Sequence, residues 1–128
     1  MAPIPFVPGR HAIEAYGGGG FRFAGMSHVG SILATPRGVS ALAAAAISDV
    51  GDEGLALLIA ELEATPGAVD LLVVGTGANA ARLSETLIGR LRALGLRFET
   101  MATGPAAHIY NVLLEEGRRV AALLIAVA

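Results

Sequence analysis

Two short apolar runs, residues 69–74 (VDLLVV) and 120–127 (VAALLIAV), restrict this chain more than any other feature. Runs of this length, broken only by Asp70, suit strands covered on both faces. The segment between them carries a helix, a strand and a second helix. Ser84 stands where a helix N-cap belongs, Leu87, Leu91 and Leu94 follow on one face, and Gly95 stops the pattern. LRFETM (96–101) alternates like a strand. Thr103 is placed to cap a further helix over 105–116, ended by Gly117. The carboxy-terminal half thus reads strand, helix, strand, helix, strand with short loops, which requires helices packed on a sheet.

The amino-terminal half follows a different rule. Residues 1–10 (MAPIPFVPGR) hold three prolines and read as an extended arm with Phe6 as an anchor. Residues 11–128 then make one α/β domain. HAIEAY alternates, Gly17 to Gly20 forms a turn, and FRFAG places Phe21 and Phe23 on one face and Arg22 on the other. Alternation around a glycine turn is a β-hairpin. HVGSILAT (28–35) is a third strand, closed by Pro36-Arg37-Gly38. Residues 39–48 (VSALAAAAIS) fit a helix by composition and a strand by position; the preceding turn favours a short strand. From Asp52, a candidate cap, Leu55, Leu58, Ile59 and Leu62 share one helical face, with Glu61 and Glu63 on the exposed face and Pro66-Gly67 as the stop.

Composition excludes several chemistries. There is no cysteine, hence no disulfide, thiolate nucleophile or cysteine metal site. All nine basic residues are arginine, which excludes a lysine Schiff base and a P-loop. A net charge of −2 offers no broad basic field for nucleic acid. The longest apolar run, residues 120–128, is nine residues, whereas a spanning helix needs about 20. Residues 1–10 lack the apolar segment of a signal peptide. The chain is expected to be soluble and cytoplasmic.

Candidate sites are few. Gly75, Gly77 and Ala80 fit G-x-G-x-x-A, and Glu99 lies 24 residues after Gly75, near the spacing of a ribose-binding acid. Against a dinucleotide, the best helix start is Ser84, so Gly77 and Ala80 fall in a loop. The two glycines then serve as a tight exit from the strand. Loops after Val74 and Met101 leave the carboxyl ends of adjacent strands, where open α/β sheets bind ligands. Gly75, Thr76, Gly77, Thr103, Gly104 and Asn111 are the candidate lining of such a cleft. Thr103 as a plain cap and Asn111 as a brace for a loop are the structural alternatives. His11, His28 and His108 show no metal-ligand spacing, and no metal or cofactor is expected. His28 stands near Ser27 and Ser31, yet no G-x-S-x-G elbow exists. No catalytic residue is assigned.

YGGGGFRFAG, HVGSILATPRGV, DLLVVGTG and ATGPAAHIYNVLLEEGRRVAALLIA occur in that order. Together they resemble a small family of domains of unknown function, the Mth-type domain, whose eukaryotic members include mitochondrial complex I assembly factor 3 and an adipogenesis-associated protein. The resemblance covers nearly the whole chain from His11 onward. It implies a three-layer α/β fold, with a mixed sheet of roughly five strands flanked by helices and a β-hairpin on one side. It implies no catalytic activity, and action through protein partners. This chain departs from the pattern at His108-Ile109, where relatives carry a polar pair after a cysteine. It also has Leu83-Ser84-Glu85 in place of a proline pair.

The expected function is therefore a non-enzymatic accessory or assembly factor. Its partners would be an assembly client or membrane-protein biogenesis machinery, with a weak homodimer as a further form. Arg22, Glu115, Glu116, Arg118 and Arg119 are the candidate partner surface. The alternative is a small-molecule or anion binder, or an enzyme, using the strand-end cleft.

Overall fold

A computed structural model describes residues 6–128, with the side chain of Phe6 outside the description. Half of the expected arm, residues 1–5, and the anchoring role of Phe6 therefore lie outside the described residues. The elements are β1 (Phe6–Pro8), β2 (Ala15–Gly17), β3 (Gly20–Phe23), β4 (Met26–Val29), β5 (Ser31–Thr35), β6 (Gly38–Leu42), α1 (Ala56–Ala64), β7 (Leu71–Gly75), α2 (Glu85–Ala93), β8 (Arg97–Met101), α3 (Thr103–Glu115) and β9 (Val120–Leu124). A six-stranded sheet runs in the order β1-β6-β5-β9-β7-β8, and β2-β3-β4 form a separate three-stranded sheet.

The central sheet is mixed because its connections differ. β5 and β6 join through the tight turn at 36–37 and pair antiparallel, whereas β7, β8 and β9 are joined by helices and pair parallel. β9 is the seam, antiparallel to β5 on one side and parallel to β7 on the other. Its side chains alternate between two cores. Ala121, Leu123 and Ile125 join Leu55, Leu58, Leu87 and Leu91 from α2 and the α1 region on one face. Val120, Ala122 and Leu124 meet Phe21, Phe23, Ala106, Ala107 and Tyr110 from the small sheet and α3 on the other. The period of two along β9 is what produces three layers. Leu58 and Leu91 are fully buried, each contributing roughly 1.5–3 kcal/mol of apolar transfer free energy.

Several expectations require correction. The sheet has six strands, because Phe6–Pro8 pairs with Ser40, Val39 and Gly38 as an edge strand. Residues 28–35 are not one strand: the chain turns at Gly30 (φ 99°), so His28 and Val29 close the small sheet while Ser31 opens β5. The hairpin accordingly becomes three strands. Residues 39–42 are strand as the turn suggested, and Ile47–Asp49 is a short 3-10 turn. Asp52 does not cap α1; Leu55 occupies that position, and Asp52 accepts from Arg90 Nε at 2.8 Å. Glu61, expected on the exposed face, is buried at 4% exposure.

Tyr110 shows how the second core bears on pH. Burial pushes its phenol up to about 12 from 10.0, against an opposing pull from the Arg10 guanidinium. The folded state prefers the neutral phenol. Its contribution is therefore fully present below pH 10 and is lost as pH rises toward 12, a window worth roughly 2–3 kcal/mol. Tyr110→Phe removes this alkaline loss in urea titrations across that window. At neutral pH it costs less than about 1 kcal/mol, because the hydroxyl donates only a long 3.3 Å bond to the His11 carbonyl.

Candidate functional site

The strand-end segment is built from the outward turn after β7. Leu72, Val73 and Val74 are fully buried, so the chain must leave the sheet abruptly at Gly75. A Cβ on Gly75 would lie 2.9 Å from both Leu124 Cδ2 and Thr103 Cα, and 3.0 Å from Thr103 Oγ1. Only glycine fits. Gly77 then adopts φ 113°, which L side chains rarely adopt.

Thr103 is the centre of the segment. Ala102 is the N-cap of α3, so Thr103 is the first residue inside the helix and not its cap. Its hydroxyl has another task. Oγ1 donates to the Ile125 carbonyl at 2.7 Å and accepts from the Gly77 N–H at 3.0 Å. The Thr103 N–H in turn donates to the Gly77 carbonyl at 2.8 Å, and Ile125 N–H to the Gly75 carbonyl at 2.9 Å. One buried hydroxyl thus ties the β7 exit, the α3 start and the β9 end together. Thr76 extends the tie: its hydroxyl donates within reach of the Asn79 carbonyl (2.8 Å) and accepts from Ala81 N–H (3.0 Å).

The structure brings Gly75, Thr76, Gly77 and Thr103 together as that expectation required, but packs them against one another. Gly104 lies beneath Tyr16, whose hydroxyl occupies the space a Cβ would take there. Asn111 serves as a brace. Its Oδ1 accepts from Ile13 N–H and its Nδ2 donates to the Ile13 carbonyl, both at 2.8 Å. The helix that follows the glycines begins at Glu85, with Ser84 Oγ accepting from Leu87 N–H at 3.1 Å. The G-x-G-x-x-A segment is therefore loop, and the helix that would cradle a pyrophosphate begins eight residues beyond Gly77. Millimolar NAD or NADP is expected to leave the melting temperature unchanged; selective binding to the folded state would raise it.

A cavity of about 640 Å³ lies elsewhere, between the β4–β5 junction, β6 and the 49–57 segment. Val29, Leu42, Val50 and Leu57 supply apolar walls, and Asp49 and Glu53 also line it. His28 contributes to the wall, and its Nε2 is the one buried side-chain nitrogen or oxygen among the described residues without a hydrogen-bond partner. The signal missed in the sequence was the break at Gly30, which puts the lining residues His28 and Val29 in one sheet and Ser31 in the other. Ser31 is no nucleophile partner for His28: its hydroxyl donates to the Ala44 carbonyl at 2.7 Å and accepts from Ala126 N–H at 2.9 Å. His11 bonds the Pro8 carbonyl at 2.8 Å, and His108 is exposed on α3.

The candidate partner residues fall on two elements. Arg22, on β3, pairs with Glu14 at 3.4 Å. Glu115, Glu116, Arg118 and Arg119 surround the α3–β9 turn, where Gly117 has φ 76°. Arg119 grips Asp70 in a two-bond fork at 2.9 and 3.2 Å, and Glu115, Glu116 and Arg118 are exposed. No helix among the described residues is long and apolar enough to cross a membrane.

Known proteins match this architecture and sequence. The chain is 44% identical over 126 residues to an uncharacterized protein of Rhodobacter capsulatus, covering 98% of this chain and 93% of that one. It is 30% identical over 113 residues to NADH dehydrogenase [ubiquinone] 1 alpha subcomplex assembly factor 3 of Xenopus tropicalis, covering 88% of this chain. It spans 60% of that assembly factor's length. The crystal structure of an outer membrane protein from Bartonella henselae superposes with a TM-score of 0.85 at 40% identity, over 94% of this chain and 98% of that one. Residues 13–125 match the family described as protein of unknown function (DUF498/DUF598), and the chain belongs to that family.

Proposed function

We propose that this chain is a non-catalytic accessory protein that helps assemble or mature a multisubunit membrane complex by binding its protein subunits. The observation that carries the reading is the 30% identity to assembly factor 3, which extends over 88% of this chain. The Thr103 tie supports it, since the Thr103 hydroxyl is taken up by the Gly77 N–H and the Ile125 carbonyl and Gly75 has no room beside it for a Cβ. The exposed Glu115, Glu116 and Arg118 supply a charged docking surface at the α3–β9 turn, and Arg22 a second point on the small sheet. Action in the cytoplasm belongs to the same reading.

The test is affinity capture from native membranes with a tag after Ala128. Subunits of one respiratory or membrane complex should be enriched. Reversing Glu115, Glu116 and Arg118 together should reduce their recovery by about tenfold without changing the melting temperature. Unchanged recovery across a scan of this surface contradicts the docking assignment, and no enrichment contradicts the role itself.

A second reading, a small-molecule binder, rests on the 640 Å³ cavity and the unpartnered His28 Nε2. It moves the ligand away from the strand ends. A metabolite panel scored by melting temperature, with Leu42→Trp to fill the cavity, decides it.

A further inference from the structure

The two edges of the central sheet are not alike. β1 is three residues long and contains Pro8, which has no N–H to offer a neighbour. β8 is five residues long, has no proline and, among the described residues, pairs only with β7. Its backbone polarity is fixed by one bond: the Met101 carbonyl accepts from Thr76 N–H, on the β7 side. Residues alternate along a strand, so Arg97, Glu99 and Met101 direct their backbone groups inward. Phe98 and Thr100 direct theirs to the open edge.

The side chains alternate as well. Arg97 and Glu99 sit opposite Leu71 and Val73, on the face covered by α3, and Phe98 sits opposite Leu72 on the other face. Arg97 and Glu99 are exposed, and among the described residues neither makes an ion pair or side-chain hydrogen bond. On α3, Asn111 and Gly104 face the small sheet through Ile13 and Tyr16. Ile109 falls on the flank of the helix turned away from that sheet and is 37% exposed.

We propose that β8 pairs antiparallel with β8 of a second copy of this chain, about a two-fold axis at Phe98. In this register Phe98 faces its own counterpart, and each Phe98 N–H donates to the other's carbonyl. Arg97 then stands opposite Glu99 of the partner copy, twice. These are non-hydrogen-bonded pairs, the positions where opposed side chains approach closest, with Cα atoms about 4.5 Å apart. A register centred on Glu99 would oppose two carboxylates. One centred on Thr100 would put Glu99 against methionine. The edge is therefore self-complementary in one register, and Ile109 lies on the flank of α3 beside it. The interface is small beside the roughly 1,600 Å² of a standard stable complex, so the association is weak.

This inference is independent of the accessory role, since neither requires the other. Sedimentation equilibrium up to about 1 mM should show mass rising toward two chains, in the range expected of small interfaces. Glu99→Arg and Arg97→Glu should each weaken association by about tenfold or more, by replacing two attractions with two repulsions. Their combination should restore it, with all variants melting like the parent. Exchange at the Phe98 and Thr100 amides should slow as concentration rises. A wild-type chain that stays monomeric at 1 mM overturns the proposal, as does a dimer indifferent to these charges. Protection of those amides only when another protein is added would assign the edge to a foreign strand and overturn it too.

Discussion

Gly75→Val removes the cooperative urea transition of this chain at 25 °C, or lowers stability by more than about 3 kcal/mol, beyond the usual range for an overpacked site. The reason is the nature of the neighbours. A Cβ at Gly75 meets Thr103 Cα at 2.9 Å, which is helix backbone and cannot swing aside. Leu124 Cδ2 closes the other side at 2.9 Å, and Leu124 is fully buried. Valine adds two methyl groups beyond that Cβ. Gly89 provides the control, because a Cβ there meets nothing within 4 Å. Gly89→Ala, inside α2, should raise stability by roughly 0.5–1 kcal/mol through helix propensity. Urea titrations of the two variants beside the parent check both signs. A Gly75→Val chain as stable as the parent would mean that the β7 exit is not closed by α3.

Thr103→Val should cost about 2–4 kcal/mol, as two buried backbone groups lose their partner. Valine keeps the shape of threonine, so packing changes little. What goes is the acceptor for Gly77 N–H and the donor to the Ile125 carbonyl. Thr103→Ser retains the hydroxyl and loses one methyl, so it should cost about 1 kcal/mol. That order, valine worse than serine, separates the hydrogen-bonded tie from simple volume. The reverse order in urea titration would show that the methyl matters and the hydroxyl does not. Gly77→Val should destabilise the fold for a backbone reason. Its φ of 113° disfavours any β-branched residue, so the substitution disturbs the fold.

Much of the fold was legible because the responsible forces are local. The apolar runs at 71–74 and 120–124, the cap at Ser84 and the stops at Gly95 and Gly117 each depend on near neighbours in sequence. The family resemblance supplied the layers. Other features depended on distant contacts. Residues 6–8 became an edge strand because β6 offered an open edge, which proline content alone does not reveal. Gly30 reads as a strand residue until its positive φ sends His28 and Ser31 into different sheets. Glu61 has a polar side chain, yet its position on α1 buries it.

The site divided in the same way. Gly75 and Gly77 as a strand exit, and Asn111 as a brace, followed from residue type and spacing. Thr103 did not, because its part is played 22 residues away at Ile125 and 26 residues away at Gly77. A threonine before a helical pattern reads as a cap whether or not it caps. The cavity beside His28 was invisible for the same reason, since its walls come from segments that meet only after the sheet forms.

The accessory role is tested most directly by deleting the encoding gene in its native organism and resolving membrane complexes on native gels. The account predicts loss of one fully assembled respiratory or membrane complex, accumulation of its subassemblies, and recovery when the wild-type chain is restored. Normal amounts of every assembled complex in the deletion strain would contradict it.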